Sequence, residues 1–433
     1  MSQPVHLPDG QDLSRPSATR ATRTLDALRP WVWPLLAISV LVRVVLTVFG
    51  DTFGRLLDLH VYVEGAATMM SGDLYGFVFD DGSPGAALPF TYPPFAAIVF
   101  YPLHFIPMGL LGVIWQVLSV AALYAVVRIA LRMVLGDGAD AARIRTAAVL
   151  WTTAGMWVEP ARVTINFGQI NIFLVLLVMM AVQSRRSWLA GAWVGIAAGI
   201  KLTPAVTGLY FLARKRWSAA AWSAVAFFAT IGIGMLVIGD ETRQYFEDLL
   251  GDADRIGPVG ASINQSLRGV LSRFAGHDLG NNWIVLLAIA VFAALCVAAW
   301  RAIGDDRLGI LLLVQLVGLL ASPISWNHHW VWVVPLMIWL VHGRIALLAG
   351  ARWLAAVWMV VMLIGPSSVL LSSDTANGTM VGGSPVNVWL STSNVTLAVI
   401  TVVWVTCAAR MASRRQARES SADAARVSGG RDG

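Results

Sequence analysis

Apolar runs, each closed by arginines or by a short polar stretch, recur along this chain from residue 31 to residue 410. Runs of about 17–25 apolar residues are what a helix needs to cross a bilayer, where every backbone N–H and C=O must be bonded within the segment. The pattern predicts an all-α polytopic membrane protein with about twelve transmembrane helices. The first is placed at 31–49 and the second at 110–134. Others follow at 146–160, up to Arg185-Arg186, and at 217–238. The later ones end near Arg301, Ser322, Arg344, residue 370 and Arg410. Two arms, 187–200 and 202–213, are shorter than a full crossing and read as a tilted or re-entrant hairpin with Lys201 at its tip.

The run 93–108, opened by Pro93-Pro94 and ending at Pro107-Met108, decides the orientation. If it crosses, the basic stretch from Arg128 to Arg145 falls outside. If it only dips in or lies at the interface, every later basic cluster falls inside. The positive-inside rule selects the second arrangement, with both termini cytoplasmic. The loop 50–91 is then outside and acidic, carrying Asp51, Asp58, Glu64, Asp73, Asp80 and Asp81 against Arg55. Residues 58–72 read as an amphipathic helix on the membrane surface.

Composition sharpens the class. Only 13% of the residues are charged and 57% are hydrophobic, against about 25% charged in a soluble domain. The net charge of +6 sits at span ends and serves orientation, so no nucleic-acid partner is expected. The partner is the lipid bilayer. Cys296 and Cys407 both fall in predicted spans and define neither a disulfide framework nor a metal site. Residues 1–30 read as a disordered cytoplasmic tail leading into a retained signal-anchor helix. Residues 31–410 form the transmembrane domain, and 411–433 a disordered basic cytoplasmic tail.

The polar stretches 58–64, 162–171, 201–204, 262–268 and 322–330 all fall on the outer face, which points to one site there. Asp58 is a candidate general base, a carboxylate at the mouth of the first span; alternatively it is one of six acids in a solvated loop. Lys201, Arg162, Arg268, His328 and His329 are candidates to hold an anionic leaving group. Lys201 stands out as one of only two lysines, on the face where cations are disfavoured. A bland reading has it snorkelling at a span end. Adjacent histidines on a helix diverge by about 100°, and no acid or cysteine follows nearby, so a metal site at His328-His329 is not expected. His60, Tyr62, Asn166, Gln169, Asn264, Gln265, Trp326 and Asn327 are candidate contacts to an acceptor sugar. The chain holds no P-loop, HExxH, GxSxG or dinucleotide fingerprint. Its loops are too short for a soluble nucleotide-sugar domain, so any group donor must arrive in the membrane.

Asp58-Leu59-His60-Val61-Tyr62, Gly72-Asp73-Leu74-Tyr75 and Thr91-Tyr92-Pro93-Pro94 resemble the first-loop signature of glycosyltransferase family 87. Asn166 to Asn171, Gly199 to Pro204, Asn264 to Ser266 and Ser322 to His329 are similar to that family in the same order. The likeness covers roughly 31–410. It implies a GT-C membrane fold and metal-independent, inverting mannosyl transfer, with no cofactor. Polyprenyl phosphate mannose would be the donor and a mannosylated glycolipid the acceptor, on the periplasmic face of the plasma membrane. The step implied is α-1,2 transfer to a phosphatidylinositol mannoside, from the tetra- to the pentamannoside. Branching of lipomannan or lipoarabinomannan by the same chemistry is the alternative. By the resemblance, Asp58 would deprotonate the acceptor hydroxyl. Transfer of another sugar, such as arabinose, and transport of lipid-linked sugars are the competing readings. The apolar spans and outward-gathered polar groups weigh against transport.

Overall fold

The structure, a computed structural model, describes residues 27–50, 55–80, 87–136, 138–373 and 385–429, with side chains described outside 48–49, 372–373 and 416–429. It is mostly helical. The first helices are α1 (Val32–Val44, continued by a wider turn at Val45–Phe49), α2 (Leu57–Ala67), α3 (Pro94–Phe100) and α4 (Met108–Leu135). Next come α5 (Ala141–Gly155), α6 (Glu159–Phe167), α7 (Asn171–Gln183), α8 (Ser187–Ile200), α9 (Thr207–Ala213) and α10 (Trp217–Val237). The rest are α11 (Gly239–Gln244), α12 (Leu267–Ala275), α13 (Trp283–Ile303), α14 (Arg307–Ala321), α15 (Val333–His342), α16 (Ala351–Ile364), α17 (Pro366–Val369), α18 (Pro385–Leu390) and α19 (Ser393–Gly429). Two short antiparallel strands, β1 (Val78–Phe79) and β2 (Leu88–Pro89), pair in the first loop.

Among the described residues, Met108–Leu135, Trp217–Val237, Trp283–Ile303, Ala351–Val369 and Ser393–Arg415 are long and apolar enough to cross a membrane. The pair α6 and α7, bent by 117°, would make one more. Several of the expected crossings are shorter, including Val32–Thr47, Ser187–Ile200, Thr203–Ala213 and Arg307–Ala321. The run 94–105 is short as well, a helix followed by a 3₁₀ turn. The chain is thus a multi-pass membrane protein of apolar helices. On α10 the side chains of Val225, Phe228 and Leu236 are exposed, which an aqueous surface would not favour and lipid does. Exposed Trp31, Trp33, Trp217, Trp283, Trp353 and Trp389 stand at or near helix ends, as amphipathic rings do at a membrane interface. The last helix runs on to Gly429, through most of the stretch expected to be a tail. Residues 1–26, Asp51, Asp81 and the loop 374–384 lie outside the described residues.

Two features fix the frame of the site. Helix α8 presents Gly191, Gly195 and Gly199 to α10. A Cβ at these positions would stand 2.4 Å from Trp222 Cβ, Ala226 Cβ and Thr230 Oγ1 respectively. The small-residue stripe lets the two backbones touch, the main source of helix association where lipid is as apolar as leucine. It also sets where α8 ends, and Lys201 follows at once. The second feature is the start of α2. Leu56 there adopts a left-handed φ of 51°, and its N–H donates to Asn166 O at 2.7 Å. Its side chain fills the space a Cβ on Gly112 would need. Gly168, at φ +70°, ends α6, and a Cβ there would sit 2.6 Å from Leu59 Cβ. The first loop is therefore seated on α4 and on the α6–α7 bend, two residues before Asp58.

Candidate functional site

Asp58 lies in the first turn of α2, so Tyr62 at i+4 shares its face while His60 points about 200° away. His60 accordingly pairs with Glu64 at 2.7 Å and stacks on Phe79 of β1. Facing Asp58 is the α6–α7 bend, which carries Gln169. The Gln169 side chain donates to the Asp58 carboxylate. Its oxygen accepts from Tyr62 Oη at 2.8 Å and Tyr92 Oη at 3.1 Å. Tyr62, Tyr92 and Gln169 are buried.

Lys201 caps the short helix α8 and reaches the same place from the other side. Its Nζ stands 3.0 Å from Asn171 Oδ1, 3.0 Å from His329 Nε2 and 3.4 Å from Tyr92 Oη, with its charge 5.2 Å from the Tyr92 ring centre. His329 and His328 sit in the 3₁₀ turn Asn327–Trp332 between α14 and α15. That turn is tied down through its backbone: His328 O accepts from Thr164 Oγ1 at 3.0 Å and from Asn171 Nδ2 at 3.1 Å. Both ring nitrogens of His328 and the Nδ1 of His329 are buried without a partner among the described residues. Buried polar atoms are rarely left so, and those that are call for an explanation such as a ligand.

The electrostatics follow from enclosure. Asp58, Lys201 and His329 are half-buried, keeping some accessible surface, while their neighbours Gln169, Asn171 and His328 are closed off. The protein packed around them still leaves little water to solvate a charge, which penalises the ionised forms. Burial raises the Asp58 carboxyl to about 6, opposed by the Gln169 hydrogen bond and by the Lys201 charge. Burial lowers the Lys201 ammonium to about 8, opposed by Asp58. Burial and the nearby ammonium push both imidazoles well down, so they are neutral. A neutral His329 accepts at Nε2 from Lys201, which leaves Nδ1–H as a donor. Beside this cluster opens a small cleft of about 40 Å³, lined by Leu174, Val175, Val178, Val206 and Leu319 together with the polar Asn171, Thr203, Gln315, Ser322, Ser325 and His329. Among the described residues, no three His, Cys, Asp or Glu side chains are grouped to hold a metal ion.

The other sequence candidates have different employment. Arg268 is gripped by Asp278 through Nε at 2.9 Å and Nη2 at 2.5 Å. Asn166 accepts from Arg43 and Thr47 through its side-chain oxygen. Arg162 holds Arg43 with its backbone carbonyl, and its guanidinium lies against Gly365 near Glu159. Asn264 and Gln265 brace the 258–266 loop: Asn264 joins it to 323–325, and Gln265 ties it to Ser391 and Asn394. Trp326 packs on Ala253, Val259 and Ile324. Asn327 donates to Glu159 at 3.3 Å and Ser368 at 2.9 Å. Tyr62 and Gln169 serve Asp58 and each other, and being closed off they do not offer a surface to a sugar. Two site residues were not among the sequence candidates: Tyr92 and Asn171. Tyr92 and Asn171 stand inside the motifs quoted above, and that was the available signal.

A carboxylate poised near neutrality, a desolvated ammonium and neutral imidazoles in one cluster can deprotonate a hydroxyl and receive an anion. The model of glycosyltransferase family 87 matches residues 90–323. The chain belongs to glycosyltransferase family 87. It is 51% identical to the polyprenol-phosphate-mannose-dependent alpha-(1-2)-phosphatidylinositol pentamannoside mannosyltransferase of Mycolicibacterium smegmatis, over 82% of this chain and 85% of that one. The protein of the same name from Mycobacterium tuberculosis is 48% identical, over 89% of each. A polyprenol-phosphate-mannose-dependent alpha-(1-2)-phosphatidylinositol mannoside mannosyltransferase of Mycobacterium tuberculosis is 34% identical over 70% of this chain and 74% of that one. No solved structure matches this family 87 chain.

Proposed function

We propose that the chain is an inverting α-1,2-mannosyltransferase that moves mannose from polyprenyl phosphate mannose to a phosphatidylinositol mannoside, at the tetra- to pentamannoside step. The observation that carries this reading is the pairing of Asp58 with Lys201 and His329 beside a cleft of mixed polar and apolar lining. The names of relatives at about half identity support it. Asp58 takes the proton of the acceptor hydroxyl. The oxygen attacks the anomeric carbon, and the bond from that carbon to the phosphate oxygen breaks. The leaving phosphate gains charge as it departs, and Lys201 with His329 Nδ1–H is placed to receive it. One side of the cleft is an apolar wall of Leu174, Val175, Val178 and Leu319, which suits a lipid-borne donor. No step needs a metal ion.

The same reading takes residues 31–410 as the catalytic unit, with about twelve crossings in a GT-C arrangement and the site on the periplasmic face of the plasma membrane. The test uses the purified chain with polyprenyl phosphate mannose and separate mannolipid acceptors, with and without chelator. Asp58→Asn should lower the rate by about 10²–10⁴ while donor binding persists, the range of a lost general base. Wild-type transfer to phosphatidylinositol tetramannoside, unchanged by chelator, is the expected result. Transfer only to a lipomannan backbone would reassign the acceptor. No transfer to any mannolipid would overturn the reading.

A further inference from the structure

The hydrogen-bond geometry around Gln169 goes beyond naming a base and a cation. Gln169 Oε1 lies within hydrogen-bond reach of three donor groups: Tyr62 Oη at 2.8 Å, Tyr92 Oη at 3.1 Å and Asn171 Nδ2 at 3.4 Å. Tyr62 Oη and Tyr92 Oη are 2.7 Å apart, and Lys201 Nζ stands 3.4 Å from Tyr92 Oη. Each hydroxyl has one proton. The run Lys201 to Tyr92 to Tyr62 to Gln169 Oε1 uses every proton once and in one direction, away from the ammonium. If both hydroxyls instead point at Oε1, the result for the amide is the same. A flipped Gln169 would set its NH₂ against Asn171 Nδ2 and turn its Oε1 onto the Asp58 carboxylate, acceptor against acceptor, a cost well above that of a surface amide. Its Nε2 is therefore held towards Asp58.

We propose that Tyr92, Tyr62 and Gln169 are positioning residues forming a relay that orients the Asp58 carboxylate and couples it to Lys201. This deepens the mannosyltransferase reading and rests on it. The relay does two things. It fixes which carboxylate oxygen is occupied by Gln169 and which is left for the acceptor hydroxyl. It also carries polarisation from the ammonium, so that an anion arriving at Lys201 weakens the donation reaching Asp58 and makes the carboxylate a stronger base when the donor is bound.

The titratable neighbours bearing on Asp58 are Tyr62 on its own helix, Tyr92 ahead of α3 and Lys201 after α8, with His328 and His329 beyond Lys201. His60 and Glu64 pair with each other on α2. Tyr101, His104 and Arg162 stand on the other elements packed against α2.

The test is the pH dependence of kcat and of kcat/KM for Gln169→Leu, Tyr62→Phe, Tyr92→Phe and the two doubles that join each tyrosine change to Gln169→Leu. Gln169→Leu should lower kcat about tenfold or more and move its acid limb up by about one pH unit, since a bond to the charged carboxylate is lost. The KM for donor and for acceptor should stay within about twofold, as positioning acts on the reacting geometry. Each Tyr→Phe change deletes a single oxygen and keeps the ring packing, so it serves if the Gln169 variant does not fold. Each should show a smaller loss of the same kind, and each double should be no worse than Gln169→Leu alone, because the relay acts as a unit. Additive losses, or an acid limb that stays put in all variants, would overturn the relay. Absence of wild-type transfer from polyprenyl phosphate mannose would instead overturn the functional reading on which it rests.

Discussion

Lys201 Nζ lies 3.0 Å from His329 Nε2, an ammonium donating into a neutral imidazole 128 residues away in sequence. The contact joins the end of α8 to the turn ahead of α15. It leaves one cation and one N–H donor beside the same cleft.

Removing that cation should be costly. Lys201→Met keeps the length of the side chain and deletes the charge. We expect kcat/KM to fall by about 10²–10³, the usual loss for a group that stabilises charge developing in a transition state. Lys201→Arg should recover part of it, because the planar fork cannot reproduce contacts made by a point charge to Asn171, His329 and Tyr92 at once. Initial rates with polyprenyl phosphate mannose, beside thermal unfolding of each variant, make the comparison. A folded Lys201→Met enzyme within twofold of wild type would remove Lys201 from the site.

Asn264 predicts a stability effect. It is fully enclosed, with Nδ2 donating to Val259 O and Pro323 O and Oδ1 accepting from Ser266 N and Ser325 N. Asn264→Ala leaves those four groups without their partner in a closed region. A loss of about 3 kcal/mol is expected, since an orphaned buried polar group costs more than the net value of its bond. Denaturation in a fixed detergent or nanodisc measures it. Retained stability would mean that water replaces the amide.

How much of this was legible beforehand depends on what a linear pattern can carry. Apolar runs and arginine clusters report burial in lipid and orientation, because each is a property of a segment by itself. Asp58 and Lys201 stood out by rarity and position. Gln169 and Tyr62 read as sugar contacts because a polar side chain near a site looks free until its partners are known; those of Gln169 come from residues 62, 92 and 171. Glu159 was invisible for the same reason. Its carboxylate accepts from Asn327, Ser367 and the Ser368 N–H, all more than 160 residues along the chain. The break of α6 and α7 had a signal in Gly168, but neither its 117° angle nor the contact of Gly168 with Leu59 of α2 can be read from a linear pattern.

The glycine stripe on α8 makes the next prediction. Gly195→Val would place Cβ 2.4 Å from Ala226 Cβ and 2.7 Å from Phe227 N and Ser223 O. Backbone cannot yield as a flexible side chain does, so α8 and α10 must separate. Overpacking of this kind typically costs about 1–3 kcal/mol. Because α8 carries Lys201, activity should fall together with stability. Gly208→Ala, where a Cβ meets nothing within 4 Å, is the control and should be near neutral. Equal unfolding temperatures for the two variants would show that α8 and α10 are not held by close contact.

The enclosure of the site also sets its pH profile. Asp58 acts as a base only when ionised. Burial raises its carboxyl to about 6, so the rate should climb as pH rises through that value. The Lys201 ammonium is lowered to about 8, again by burial. Its cation is therefore lost as pH rises through about 8, and the rate should fall there. The result is a bell in log kcat/KM with its top near neutrality. Because each charge opposes the other's shift, the two limbs belong to the pair and not to either residue alone. Lys201→Met should thus do more than abolish the alkaline limb. Without the ammonium nearby, the carboxylate loses its favourable partner, and the acid limb should move up. Residual activity of that variant, followed across pH with a saturating donor, reads both effects. An acid limb that stayed in place would mean that Asp58 and Lys201 do not sense each other.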